Sequence, residues 1–143
     1  MTSPGSPALA NLARIGQLRT EAPDARERAG LLRSATVRLH DARQPTLSLE
    51  SRFDLAYNAA HAGALAALRA HGYRSENRYL VFQCLEHTLG WKPVQWLLLD
   101  QAHKKRNLAE YEGDLDVTLG FVEELINHAA SLIAAAQALE APR

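Results

Sequence analysis

The polar side chains best suited to chemistry lie close together late in the chain. They are, in order, His103, Lys104, Lys105, Arg106, Asn107, Glu110 and Tyr111. On one continuous helix His103, Arg106 and Asn107 are three or four residues apart and therefore share a face. An arginine fork can hold a phosphate through two parallel hydrogen bonds, so this patch is suited to binding RNA or a nucleotide. The spacing also fits a basic helix end with a surface Arg106–Glu110 ion pair, and spacing alone favours that plainer interpretation.

A second polar group stands in an alanine-rich stretch near the middle of the sequence. It consists of Tyr57, Asn58 and His61, at positions where the chain could have been wholly apolar. A buried Tyr or Asn needs a hydrogen-bond partner. The group therefore forms either a second wall of the same cleft or ordinary hydrogen bonds between helices, and the sequence leaves both alternatives open.

Other kinds of site find little support in the sequence. Of the six histidines, only His103 has an acidic residue three positions before it, Asp100, which is half of a helical di-iron motif. We therefore expect no metal and no cofactor. Cys84 lies in an apolar stretch and is expected to be a buried core thiol. Glycine-rich phosphate loops and the G-x-S-x-G nucleophile motif are missing from the sequence.

These residues must be positioned by helices, because apolar residues recur with helical periodicity almost throughout the sequence. Asp24 and Ser48 are predicted N-caps, Pro93 opens a later helix, and Asp114 or Asp116 caps the last one. The predicted fold is all-α, an up-and-down bundle of four principal helices with a short helix and an N-terminal helical arm. The predicted boundaries are 1–20 for the arm, 24–42, 48–71, 93–107 and 116–139 for the principal helices, and 77–89 for the short one.

Composition limits the classes of function. The 143 residues fit one domain with a core at about 24–139, and 16 basic residues balance 16 acidic ones, which excludes a broadly basic nucleic-acid binder. A lone cysteine favours a reducing compartment, so we expect a cytoplasmic protein. The sequence shows neither a secretory signal nor an apolar run of about 18 residues, so we expect no membrane association.

Three features together resemble the HEPN superfamily across residues 24–139. They are the helix from Ser51 to His61, the Arg106-Asn107-x-x-Glu110-Tyr111 helix end, and the final amphipathic helix. The resemblance implies a helical bundle that forms a homodimer, with the arginine motifs meeting in a cleft. In active members that cleft cuts RNA without metal: the arginine holds the scissile phosphate and a histidine assists attack by the ribose 2'-hydroxyl. Such proteins are often toxins paired with a nucleotidyltransferase antitoxin.

Carried onto this chain, the resemblance makes Arg106 the phosphate ligand and Asn107 its polar neighbour. Tyr111 stands where the family places its histidine. A phenol with a pKa of about 10 is a poor base at neutral pH, so catalysis stays open, with His103 and Tyr111 as the candidate groups. The remaining predicted binding residues are Lys104, Lys105, Tyr57, Asn58 and His61.

Two hypotheses of different classes follow. The first is an RNA- or nucleotide-binding toxin–antitoxin component whose metal-independent ribonuclease activity is weak or absent. The alternative is a non-catalytic bundle that presents an apolar surface around Trp91 and Trp96 to a partner protein. Replacing Arg106 with alanine distinguishes them, because only the first hypothesis requires its guanidinium.

Overall fold

Helices make up most of the chain, which confirms the predicted all-α bundle, and a short β-ribbon joins the N-terminal arm to it. The computed structural model describes residues 6–139. The helices are α1 (Ser6–Arg14), α2 (Ala25–Ala42), α3 (Leu49–Ala70), α4 (Arg78–Gln83), α5 (Leu85–Thr88), α6 (Pro93–Glu112) and α7 (Leu119–Ala138). The strands are β1 (Arg19–Thr20) and β2 (Tyr73–Arg74), paired antiparallel. No helix in this part of the chain has both the length and the apolar character of a membrane span.

The caps predicted for α2 and α3 are confirmed. The Asp24 carboxylate accepts hydrogen bonds from the backbone N–H groups of Arg26 and Glu27. The Ser48 hydroxyl likewise accepts one from the Ser51 N–H. Both caps satisfy donors that the first turn of a helix leaves free, which fixes where each helix begins.

The central helix is α3, against which α2 and α7 pack most extensively. Its inward positions are small, and Ala56, Ala59 and Ala60 are completely buried. At Gly63 a Cβ atom would lie 3.3 Å from Ile133 Cγ1, so glycine lets α7 approach closely. Alanine and glycine thus bring three helices together and hold Tyr57, which lies on the same helix, inside the bundle.

The short helix predicted at 77–89 is instead two helices, α4 and α5, separated at Cys84. The Cys84 N–H donates to Leu80, which closes α4, and its carbonyl accepts from His87 to open the next turn. Val81, Phe82, Cys84 and Leu85 are all buried. These four side chains pack both short helices against the core.

Two other predicted boundaries are wrong. Helix α6 continues past the predicted end at 107 to Glu112, and Gly113 closes it in the left-handed region with φ +78°. Neither Asp114 nor Asp116 caps α7, because the Thr118 hydroxyl accepts the Phe121 N–H instead. The extension of α6 makes Arg106 a residue of a helix interior rather than of a helix end.

The N-terminal arm covers its own bundle. Leu9 and Leu18 are buried, whereas Ile15 is 56% exposed. Buried Arg69 secures the segment after the arm by donating to the carbonyls of Glu21 and Ala22. Residues 1–5 of the predicted arm lie outside the described residues.

Candidate functional site

The structure brings the two predicted polar groups together between α3 and α6. The Tyr57 hydroxyl lies 2.9 Å from Nδ1 of His103, and the Arg106 guanidinium carbon lies 5.3 Å from the centre of the Tyr57 ring. We call this arrangement the Tyr57 cluster; it comprises Tyr57, Asn58, His61, Arg78, His103, Arg106 and Asn107. The Tyr57–His103 contact is a hydrogen bond between helices made by a buried side chain, so both alternatives for the α3 group stay open.

Tyr57 is the fixed point of the cluster. Its side chain is completely buried, and its ring stacks on Phe53 and meets Phe82 edge-on. Burial raises the pKa of Tyr57, and the positive charges of Arg78 and Arg106 offset only part of that effect. The phenol is therefore neutral at physiological pH and anchors the imidazole of His103 by a hydrogen bond.

His103 is held at both ring nitrogens. Asn107 Nδ2 lies 3.1 Å from Nε2, so with the amide in this orientation the Asn107 amide donates to Nε2. The proton of the imidazole then lies on Nδ1 and is donated to the Tyr57 oxygen. Burial, together with Arg106 and Arg78, lowers the pKa of His103, while Asp100 opposes the shift. The imidazole is neutral at pH 7, which is the form that accepts a proton.

Arg78 is the member of the cluster that the sequence analysis missed. Its guanidinium donates to Asn58 Oδ1 at 3.0 Å and lies 5.5 Å from the centre of the Tyr57 ring. No acidic side chain within residues 6–139 forms an ion pair with it. Only the packing of α4 against α3 brings Arg78 here, and no spacing along the chain indicates that contact.

Arg106 forms the surface ion pair that the plainer interpretation predicted, with its guanidinium 3.2 Å from the Glu110 carboxylate. A groove of about 280 Å³ runs beside it, lined also by Glu50 and Asp54. Because those carboxylates repel anions, a phosphate approaching from this side meets an unfavourable potential. The surroundings of Arg106 are thus acidic on one side and basic, through Arg78, on the side of Tyr57.

His61 lies against the inner side of the cluster. Its ring meets Phe82 edge-on, and its Nε2 is buried without a hydrogen-bond partner among the described residues. Burial, reinforced by the charges of Arg78, Arg106 and His103, lowers the pKa of His61 to about 4. A neutral imidazole avoids placing a further positive charge beside Arg78 and Arg106.

Three predicted site residues do not join the cluster. Lys104 pairs with Asp100 at 3.1 Å, and Lys105 donates to the Asp116 carbonyl. Tyr111 is 91% exposed. Five residues after Arg106, it is rotated by about 140° around the helix and points outward. The structure therefore leaves His103 as the candidate base that lies in the cluster.

Other predicted features have plain structural roles. Cys84 is buried, and burial raises the pKa of its thiol to about 12, so the prediction of a core thiol is confirmed. In the part of the chain that the structure describes, no three His, Cys, Asp or Glu side chains are arranged to hold a metal ion.

Comparison with known proteins returned no match to any family model, curated protein or solved structure. The function must therefore be inferred from the chemistry of the Tyr57 cluster itself. Two guanidinium groups beside one phenol provide donors for a phosphate, and a neutral imidazole provides a proton acceptor.

Proposed function

We propose that the protein is HEPN-like and binds RNA or a nucleotide through the Tyr57 cluster. The observation that carries the proposal is the position of Arg78 and Arg106, whose guanidinium groups both lie within about 5.5 Å of the Tyr57 ring centre. Of these two arginines, only Arg106 forms an ion pair with a carboxylate among the residues described. The two guanidinium groups, held beside one buried ring, offer a phosphate several charge-assisted hydrogen bonds.

The surface around the two arginines supports a single-stranded ligand. Tyr79 is 39% exposed, and its ring centre lies 6.4 Å from that of His103. An exposed aromatic ring beside a phosphate site gives an unpaired base a face on which to stack. Asn107, which is also exposed, supplies an amide for hydrogen bonding to the ligand or for holding His103.

Glu110 competes with the phosphate for Arg106. The carboxylate is exposed, and a surface ion pair of this kind contributes at most about 1 kcal/mol. A phosphate that also contacts Arg78 gains more than this and displaces Glu110. His103 can then accept a proton from a ribose hydroxyl at Nε2 once the Asn107 amide has turned from that nitrogen to the ligand, whereas Tyr111 takes no part.

A homodimer belongs to the same proposal, but its candidate face lies on the side of α6 away from Arg106, so the two arginine motifs do not meet in one cleft as the resemblance implies. The outward face of α6 carries Val94, Leu97, Leu108 and Tyr111, exposed by 73, 47, 54 and 91%. An antiparallel second copy of α6 sets Val94 opposite Tyr111 and Leu97 opposite Leu108, so the face is self-complementary about a two-fold axis. A toxin–antitoxin role with a nucleotidyltransferase antitoxin, and a cytoplasmic location, accompany this assignment.

Binding of a labelled single-stranded RNA, followed by fluorescence anisotropy in EDTA, tests the proposal. Arg106→Ala and Arg78→Ala are each expected to weaken binding by at least about tenfold, the value of one lost charge-assisted hydrogen bond. Arg38→Ala is the matched control, because this exposed arginine on α2 donates to Ser34 and lies outside the cluster. Equal losses in all three variants would reduce the binding to nonspecific charge attraction and contradict the proposal.

One observation favours a second candidate, a protein-interaction module. Its surface is not the predicted one, because Trp91 is only 9% exposed and Trp96 is half-buried, with its indole N–H bonded to Glu86. The exposed apolar face of α6 is instead the candidate surface for binding a partner protein. This candidate predicts that Leu97→Lys abolishes recovery of a stoichiometric partner while Arg106→Ala has no effect, the reverse of the pattern expected for RNA.

A further inference from the structure

A second pair of arginines lines a cavity that shares no residue with the Tyr57 cluster. Arg43 follows the end of α2, and Arg52 lies in the first turn of α3. Together with Glu123, Ile126 and Asn127 of α7, they line a cavity of about 430 Å³. Pockets for small ligands span roughly 300 to 1,000 Å³, so this one has room for a phosphate and an attached group.

Arg52 is an unusual lining residue because it is only 9% exposed. Its Nε donates to the Ala42 carbonyl at 2.8 Å, and this is the one hydrogen bond that the Arg52 side chain forms with the described residues. In residues 6–139 no acidic side chain lies within ion-pair distance of Arg52 or Arg43. The two terminal nitrogens of Arg52 form no hydrogen bond with the described residues and keep contact with solvent, so they are available to a ligand in the cavity.

We infer that Arg43, Arg52 and Asn127 form a binding site for a phosphate group, either free or carried by a small molecule. The terminal nitrogens of the two guanidinium groups and the exposed Asn127 amide are the donors that a phosphate oxygen requires. The lining contains no aromatic ring, so the phosphate itself is the recognised group. This site is independent of the proposed RNA function.

Glu123 opposes this binding. It is exposed and lines the cavity without pairing with either arginine, so its carboxylate repels a bound phosphate. Removing that charge tightens phosphate binding if the site is an anion site. If Glu123 were instead the internal counterion of Arg43 or Arg52 in solution, removing it would destabilise the fold.

Inorganic phosphate is the probe for the first experiment, titrated to about 20 mM at constant ionic strength and monitored through the ¹⁵N side-chain resonances of the arginines. Arg43→Ala and Asn127→Ala alter exposed side chains and should preserve the fold. Each is expected to weaken phosphate binding by about tenfold. Glu123→Gln is expected to tighten it severalfold without loss of thermal stability, and Arg106→Ala to leave it unchanged.

A parallel titration with ribose 5-phosphate distinguishes the source of the phosphate. Tighter binding than inorganic phosphate indicates a ligand that also fills the rest of the cavity, and equal affinity indicates free phosphate. The inference is overturned by the absence of any shift at the Arg52 resonance, or by phosphate binding that Arg43→Ala and Asn127→Ala leave unchanged. Loss of binding in Arg106→Ala would instead assign the phosphate to the Tyr57 cluster and likewise overturn it.

Discussion

Acid should destabilise the protein chiefly through His61. The imidazole is mostly buried beside Arg78 and Arg106, and its pKa is about 4 in the folded state against an ordinary value of 6.5. Because the folded value is the lower one, the unfolded chain binds more protons between these two pKa values. The contribution of His61 to the free energy of unfolding is therefore complete above pH 6.5. It falls as the pH drops through that range and levels off below pH 4.

The size of the effect follows from the two pKa values. Between pH 7 and pH 5, protonation of His61 in the unfolded chain lowers the free energy of unfolding by about 2 kcal/mol. Burial also lowers the pKa of His71 and His103, so these residues add a loss of the same sign. Their contribution is common to the wild-type protein and to a His61 variant, and comparison of the two isolates His61.

Urea unfolding followed by circular dichroism, at pH 7 and pH 5, measures the effect. His61→Gln removes the titrating group, so its loss of stability on acidification should be smaller than the wild-type loss by about 2 kcal/mol. His40→Gln is the control, because His40 is exposed on α2 and should leave the wild-type loss unchanged. If His61→Gln loses as much stability as the wild type, the imidazole is not buried beside the arginines as described.

Three further predictions concern charges and packing. Arg78→Ala and Arg106→Ala should each reduce the slope of log affinity for single-stranded RNA against log salt by about 0.7; an unchanged slope would show that the guanidinium does not neutralise a phosphate. Glu110→Gln should tighten RNA binding severalfold in the same anisotropy assay, and weaker binding would mean that Glu110 positions Arg106 rather than competes for it. Arg69→Met should lower the free energy of unfolding by about 3 kcal/mol in urea, because it removes the donor of three backbone carbonyls and one of the two arginines paired with Glu27, and a loss near zero would contradict this role.

The sequence predicts the helices well where their ends depend on neighbouring residues. Asp24 and Ser48 cap α2 and α3 as expected, since a cap involves a side chain and backbone groups only two or three positions away. The end of α6 and the start of α7 were mispredicted because several residues compete for these roles. Gly113 ends α6 and Thr118 caps α7, whereas the aspartates between them do neither.

In the candidate site, contacts within one helix were predictable from the sequence, whereas contacts between helices were not. Helical spacing alone places His103, Arg106 and Asn107 on one face. Their contact with Tyr57 depends on the packing of α3 against α6, which spacing along the chain does not specify. Arg78 could not be predicted, because it reaches the ring from a different helix.

Mapping the RNA contact on the folded protein by NMR tests the proposed function most directly. The ¹H–¹⁵N spectrum of the wild-type protein would be followed while a short single-stranded RNA is added in EDTA. We predict shifts concentrated at residues 57–61, 78–79 and 103–107, and their loss in Arg106→Ala. Shifts confined to the outward face of α6, shifts around Arg43 and Arg52 alone, or an unchanged spectrum would contradict RNA binding through the Tyr57 cluster.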